Sequence, residues 1–476
     1  MEHMQLQKII EQYQYSEYEN KGVKELLREE IEKNPFKIVV LDDDPTGVQT
    51  VHDVSVYTDW NYESVLQGFL EENRMFFLLT NSRAFTEAMT IKAHKEIAEN
   101  IIRASKETGK PYMIISRGDS TLRGHFPLET STIQEELESH TGRKVDGEIL
   151  IPYFRAGGRY TIDNIHYVNY GGELIPAAET EFAQDKTFGY KNSDLREYIE
   201  EKTQSGCRAS EVSVISLKNV RNAEFDRMEE ILRSVSNFGK VIVNAIEPED
   251  LETFCVALYR AMGKGKSFLF RTAADFVKAV GGIPGKELLK KENMIYDDRK
   301  HGGIIVIGSH TAKTTAQLQE LQNMPGLEFI EFNSDLVLED KLAQEVDRVT
   351  GLSSAFIKQG KTVVTYTKRK LLTLENDTKE NALLRSVKIS EAVLQLVKNL
   401  TTVPNFVIAK GGITSSDIGV KALQVHKAYV LGQILPGISV WKTDQDSRFP
   451  GIPYIIFPGN VGEDNSLRLA VEELMR

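Results

Sequence analysis

At 476 residues, with 41% hydrophobic and 27% charged positions, the chain has the composition of a folded protein and more length than one hydrophobic core usually organises. A formal net charge of −11 argues against a general nucleic-acid surface, and the two cysteines, Cys207 and Cys255, offer neither a disulfide framework nor a zinc-ligand spacing. The first residues lack a basic flank followed by an apolar core, and no segment approaches about 18 uninterrupted apolar residues, so a protein of the reducing cytoplasm, neither secreted nor membrane-spanning, is expected.

Residues 1–34 are charged and amphipathic, with Leu26, Leu27 and Ile31 at helical spacing and Pro35 closing the segment, which predicts an N-terminal helical extension. From Lys37 onward, apolar runs that read as strands at 38–41, 54–58, 75–80, 112–116 and 148–152 alternate with helical patterns such as 89–107. The same style continues through 211–215, 240–245 and 267–270. Alternation of this kind predicts an α/β fold with a mostly parallel sheet. At Gly281-Gly-Ile-Pro-Gly285 the pattern breaks, and the charged stretch 286–302 reads as a hinge. A second unit opens with an apolar run over 303–309 and continues with strands at 362–367, 405–409, 438–441 and 453–457. The expected architecture is two α/β domains, 35–285 and 303–476, with a ligand cleft between them.

The run from Lys37 to Gly47 is the most telling. A buried strand delivers Asp42, Asp43 and Asp44 into its C-terminal loop, where open α/β sheets place binding and catalytic groups. Three successive carboxylates repel one another unless cations, ligand hydroxyls or arginines occupy the site, although an acidic helix-capping turn is the plainer alternative. The segments Asn81-Ser-Arg83 and Arg117-Gly-Asp-Ser-Thr-Leu-Arg-Gly124 follow the next strands in the same way. Arg83, Arg117 and Arg123 then supply fork donors for a carboxylate or phosphate, while Asp43, Asp119 and Ser120 suit sugar hydroxyls. That inventory matches a small, anionic, polyhydroxylated substrate. An internal salt-bridge network holding the loop is the competing reading, and the two can coexist. His166, near the Gly157-Gly158 loop, stands evenly between a structural hydrogen-bonder and a substrate contact.

The second unit carries glycine-rich turns after its strands: Gly308-Ser-His-Thr311, Lys410-Gly-Gly-Ile-Thr-Ser-Ser416, Leu435-Pro-Gly-Ile438 and Phe457-Pro-Gly-Asn-Val-Gly462. Glycines let a backbone approach a phosphate, and amides with Ser or Thr hydroxyls at a helix N-terminus bind it. Neither a Walker A sequence nor a Gly-x-Gly-x-x-Gly fingerprint is present, so the signal is for a nucleotide held in another way. An anionic-sugar site in one domain and a phosphate cradle in the other suggest phosphoryl transfer with closure, which needs positioning and charge neutralisation more than covalent chemistry.

Taken in order, Leu41-Asp-Asp-Asp-Pro-Thr-Gly47, Asn81-Ser-Arg83, Arg117 to Gly124, Arg271-Thr-Ala273, Gly308-Ser309, Lys410-Gly-Gly412, Leu435-Pro-Gly437 and Pro458-Gly-Asn460 resemble the four-carbon acid sugar kinases from about residue 35 to the end. The resemblance implies an N-terminal sugar-acid domain, a C-terminal nucleotide domain, and phosphorylation of threonate, erythronate or 3-oxo-tetronate by ATP with Mg²⁺. On the matching motifs, Asp43, Arg83, Arg117, Gly118, Asp119 and Ser120 would meet the substrate, joined by Asp42, Arg123 and His166. Ser309, Gly411, Gly412, Thr414, Gly437, Gly459 and Asn460 would line ATP, and Asp43 or Asp119 would accept the hydroxyl proton. The metal ligands stay unassigned.

Three positions depart from the family pattern: Ile413 where an acidic residue is common, with Asp417 the nearest carboxylate; Arg117 where a lysine is common; and Asp44-Pro45 in place of a Leu or Phe step. Two rivals follow, a haloacid-dehalogenase-like phosphatase using Asp42 and Asp44, and a non-catalytic sugar-acid-binding protein. Expected partners are a sugar acid and ATP, with no nucleic acid and no membrane; homo-oligomerisation is left open.

Overall fold

The computed structural model describes residues 4–13, 17–44, 46–296, 299–370, 372, 374, 377–459 and 461–476. The chain divides into two α/β units, one formed by Met1–Val51 and Asp59–Gly285, the other by His52–Thr58 and Lys286–Arg476. Among the described residues no helix is long and apolar enough to cross a membrane.

In the first unit, the strands Ser213–Ile215, Gly239–Val243, Gly147–Ile151, Phe268–Thr272, Tyr112–Arg117, Lys37–Asp42 and Met75–Leu79 lie side by side in that order, every pair parallel. Their sequences are β-branched and aromatic runs buried on both faces, as a sheet covered by helices requires. Each buried Ile, Val or Phe adds roughly 1.5–3 kcal/mol, which outweighs the modest propensity of any one strand. The helix Glu87–Thr108 shows how the covering layer forms. Thr86 caps it by accepting from the Met89 amide, Gly109 ends it at φ +67°, and the stripe Ala93, Ile97, Ala98, Ile101 and Ile102 is buried.

A separate antiparallel sheet, ordered Met4–Gln5, Glu173–Pro176, Ile165–Tyr170 and Arg159–Ile162, also belongs to this unit. Its two hairpins turn on pairs of residues at positive φ, Asp163 with Asn164 and Gly171 with Gly172, the geometry that matches strand twist. The expected N-terminal extension is helical over Leu6–Gln12 and Glu17–Lys33, but Met4–Gln5 adds an edge strand to this sheet.

In the second unit, Val54–Tyr57, Lys427–Leu435, Ile438–Thr443 and Pro453–Phe457 pair antiparallel, after which Val407–Lys410, Ile304–Ile307, Thr362–Thr367 and Leu327–Phe332 continue in parallel. The strand Val54–Tyr57, expected among those of the first unit, therefore serves the second, with Val56 opposite Ala428. Residues 286–302 are more than a hinge: Leu289 and Met294 are buried in a core with Ile305, Ile408, Val440 and Phe457.

Candidate functional site

Parallel register places the chemistry of the first unit. Asp42 is the register partner of both Leu79 and Arg117, and Arg117 that of Thr272, so the loops after four strands leave from one row. Asp42 is buried and accepts from Arg117 Nη1 at 3.2 Å. A side chain at Gly47 would place its Cβ 1.9 Å from an Asp42 carboxylate oxygen, so only glycine lets the loop close over this pair. The Asp43 carboxylate takes Arg83 through Nη2 to Oδ1 at 2.7 Å and Nε to Oδ2 at 3.3 Å, a two-pronged charge-assisted contact. Asp44 folds back to accept from the Thr46 amide at 2.8 Å and the Thr46 hydroxyl at 2.6 Å, and lies 3.4 Å from Arg83.

The loop after Tyr112–Arg117 is pinned from beneath by Arg271, the last residue but one of the neighbouring strand Phe268–Thr272. Its guanidinium sits in a slot made by the absence of side chains at Gly118 and Gly124, where a Cβ would stand 2.3 Å from Cζ and 2.4 Å from Nη2 respectively. Arg271 donates to Ser116 Oγ at 2.9 Å, to the Arg123 carbonyl at 3.3 Å, and to Glu129, which also accepts from Ser82 Oγ at 2.6 Å and Ser116 Oγ at 3.0 Å. Above this layer, Asp119 binds Arg123 Nε at 2.6 Å and the Thr121 hydroxyl. Arg83, Asp44, Asp119, Ser120 and Arg123 remain half-buried, whereas Asp42, Asp43, Arg117, Arg271 and Glu129 form the buried floor under them.

His166 takes a different place from a substrate contact. It is fully buried, with Nδ1 3.0 Å from the Thr161 hydroxyl and Nε2 2.8 Å from the Ser120 carbonyl, so both nitrogens are committed to holding the loop. Burial lowers its pKa to about 4 and keeps the ring neutral, with Nε2–H donating to the carbonyl. The carboxylates diverge. Burial pushes Asp42 up to about 7 despite Arg117, and raises Asp43 despite Arg83 and Arg271. Burial would also raise Asp119, but Arg83 and Arg123 outweigh it and hold that carboxyl far below the ordinary range. Glu129 follows the same logic, burial being outweighed by Arg271, and sits at about 2.

Register sets the second unit in the same way: Lys410 is paired with Ile307 and Phe457, and Ile307 with Tyr366, so the glycine turns leave from one edge. Thr311 caps the helix Ala312–Gln322 by accepting from the Thr314 amide, and the Thr314 hydroxyl lies 3.2 Å from both Ser309 Oγ and the Gly459 carbonyl. Gly411 has φ +128° with Ser309 Cβ 3.2 Å from its would-be Cβ, while a Cβ on Gly412 would meet nothing within 4 Å. Ser309, Gly411, Thr414 and Gly459 thus form one cluster, and Gly412 faces open space beside it. Gly437, at φ +77°, turns the hairpin between Lys427–Leu435 and Ile438–Thr443, its amide donating to Gln433 Oε1 at 2.7 Å, and a Cβ on it would stand 3.2 Å from Val461 Cγ1 in the turn that carries Gly459. Asn460 lies outside the described residues, as does the Ile413 side chain.

Two cations here escaped the sequence reading. Lys410 is buried, its Nζ 2.5 Å from the Pro458 carbonyl and 3.4 Å from that of Gly459, and burial lowers its pKa to about 7. Arg369 Nη2 donates to the Ser309 carbonyl at 2.6 Å and Thr315 Oγ1 at 2.9 Å, and among the described residues it has no carboxylate within ion-pair distance. The run Lys368-Arg369-Lys370 at a strand end was the available signal. Among the described residues the acidic and histidine side chains close enough to share a metal ion are Glu99, Glu136 and His140, on the helices Glu87–Thr108 and Leu128–Thr141, and none of the three is a residue of the loop cluster above. The site carboxylates Asp42, Asp43 and Asp119 are each engaged by arginine and do not form a Mg²⁺ cage.

Comparison with known proteins adds two family models, a sugar-binding N-terminal domain over residues 38–280 and a nucleotide-binding C-terminal domain over residues 304–467. No curated protein matches the chain. Among solved structures, a Haemophilus influenzae protein of the DUF1537 family superposes with a TM-score of 0.62 at 15% identity, covering 92% of this chain and 100% of that one. A Salmonella typhimurium LT2 protein provisionally described as a tRNA synthase gives 0.67 at 14% identity, over 91% and 98% of the two chains. At such identities the likeness is one of fold.

Proposed function

Since the chain belongs to the four-carbon acid sugar kinase (DUF1537) family, built of a sugar-binding and a nucleotide-binding domain, we propose that it transfers the terminal phosphoryl group of ATP to a hydroxyl of a four-carbon sugar acid of the threonate, erythronate or 3-oxo-tetronate type. The observation that carries this reading is the layered ring of the first unit: half-buried Arg83, Arg123, Asp119 and Ser120 over a buried floor of Asp42, Asp43, Arg117, Arg271 and Glu129. Arginines in that arrangement take a carboxylate, and the acidic and hydroxyl groups between them take alcohol groups.

Asp43 is the better proton acceptor. Burial raises its carboxyl above the ordinary value despite Arg83 and Arg271, whereas Asp119, held low by Arg83 and Arg123, is a weak base and serves as the anchor of those arginines. In the second unit, the Ala312–Gln322 helix start, the Ser309 and Thr314 hydroxyls and the open face of Gly412 suit the phosphates of ATP. ATP would bring Mg²⁺ on its phosphates, and the roles given to Asp43, Arg83 and Asp119 are argued without that ion. The phosphatase alternative gains nothing from the geometry, because Asp42 is buried against Arg117 and Asp44 is folded onto Thr46.

Phosphorus NMR of the protein with MgATP and each sugar acid tests the reaction. A phosphomonoester resonance rising in step with ADP is expected. Inorganic phosphate alone, or unchanged ATP with every acid, would remove the kinase reading.

A further inference from the structure

At the N-terminal edge of the parallel sheet in the first unit lies a cavity of about 780 Å³, within the ~300–1,000 Å³ of small-molecule sites and lined by no residue of the sugar-side loops. The helices Glu87–Thr108, Leu128–Thr141 and Pro248–Gly263 reach it with their last turns, and Ile102, Leu137, Val145 and Met262 give it a buried apolar floor. Tyr112 opens its strand at this cavity, and from there to Arg117 the strand rises about 17 Å at ~3.3 Å per residue. A molecule bound here stays out of reach of the sugar-side loops, so it is not the substrate.

The rim is cationic in a chain of net charge −11: Lys106, Arg143, Lys144 and Lys266 line it, and no described aspartate or glutamate does. Lys144 is answered by Glu138 at 2.6 Å and Lys266 by Asp146 at 2.9 Å, whereas Lys106 and Arg143 have no carboxylate within ion-pair distance among the described residues. Tyr112 adds a donor, since burial pushes its pKa up to about 12 against the pull of Arg143 and the hydroxyl keeps its proton. Helix C-termini carry partial negative charge, so a bare inorganic anion gains little between three of them. A ligand that buries an apolar body on the floor and extends one anionic group to the rim gains from both. From this juxtaposition we propose that the cavity is a second ligand site of the first unit, for a small organic anion with an aromatic or aliphatic body, its carboxylate, sulfonate or phosphate held by Arg143 and Lys106.

Fluorescence titration with 8-anilinonaphthalene-1-sulfonate, an aromatic body with one sulfonate, tests this on the full chain, with and without excess MgATP. One equivalent should bind, undisplaced by MgATP and within twofold of the same affinity when sulfate replaces chloride at constant ionic strength. Lys106→Glu/Arg143→Glu should weaken it at least tenfold and Lys106→Gln/Arg143→Gln at least threefold, both at exposed positions that leave the core intact. Lys218→Glu/Arg227→Glu, the same change of net charge at exposed positions outside the cavity, should leave it within twofold. Wild-type affinity in either cavity variant that keeps the wild-type circular dichroism spectrum would overturn the assignment. So would equal weakening in the control pair, displacement by MgATP or sulfate, or a wild-type chain that binds no probe.

Discussion

Arg271 and Glu129 form the pair on which the sugar-side loops rest, and its removal has a calculable consequence. Both residues are buried, and Glu129 receives two serine hydroxyls besides the guanidinium. Arg271→Met keeps most of the side-chain volume but leaves the carboxylate buried with only the two serines. Breaking a buried ion pair from one side costs about 3–5 kcal/mol, a large share of the roughly 5–15 kcal/mol that holds a domain folded. At about 2–4 °C per kcal/mol for a domain of this size, the melting temperature should drop by about 6–20 °C. Glu129→Gln should cost less, since the amide still accepts from one serine. The double variant should be more stable than the sum of the single losses implies, because no unpaired charge is left. Melting curves of the four proteins at pH 7 make the cycle. Strict additivity would show that the pair is not coupled and that the layered account of the site is wrong. The pH dependence has a fixed sign: Glu129 is depressed from 4.5 to about 2, so its contribution is complete above its unfolded value and is lost as pH falls through that window.

Arg83→Ala removes two charge-assisted bonds to Asp43, and the loss of at least one comparable bond to the substrate should raise the sugar-acid KM about tenfold to a hundredfold while ADP affinity stays unchanged; equal losses in both would place that arginine wrongly. Gly412→Val adds a side chain where nothing lies within 4 Å, so the protein should fold normally and bind ADP at least tenfold more weakly, and an unaltered affinity in calorimetry would take the loop out of the site. His166 has a folded pKa near 4 against 6.5, so its own contribution to stability should decline as pH falls from about 6.5 to 4, by up to ~1.4 kcal/mol per pH unit, opposed by Asp42, whose carboxyl is raised to about 7 and stabilises as it is protonated. His166→Gln should flatten that slope in urea titrations; an identical slope would mean that another group titrates there.

Much of this was legible because parallel strands are buried on both faces and announce themselves as apolar runs, and because their C-terminal loops carry the polar residues. The run 38–41 and its Asp42 to Asp44 ending needed no long-range information, and the same holds for Arg83 and for the Arg117 to Arg123 loop. What escaped depends on contacts remote in sequence. Glu129 reads locally as an acidic residue in a first helical turn, and only the fold brings it to Arg271, 142 positions away. Val54–Tyr57 looks like any strand of its neighbourhood, yet its partner is Lys427–Leu435. The hairpins around Asp163-Asn164 and Gly171-Gly172 lie in strands whose outer residues are polar, so alternation was weak, and Leu327–Phe332 is a half-exposed edge with glutamates in it. His166 could not be placed from sequence because both of its roles require the same residue type, and only the Ser120 carbonyl and Thr161 hydroxyl decide between them.

The central claim is tested most directly by the rate of ADP release from MgATP over D- and L-threonate, D- and L-erythronate and their 3-oxo forms, for the wild type and for Asp43→Asn. The account predicts turnover on at least one acid and a loss of a hundredfold or more in the variant, about what removing a general base costs. Silence across the panel, with hydrolysis of the matching sugar-acid phosphates instead, would contradict it and return Asp42 and Asp44 to the role of nucleophile and acid.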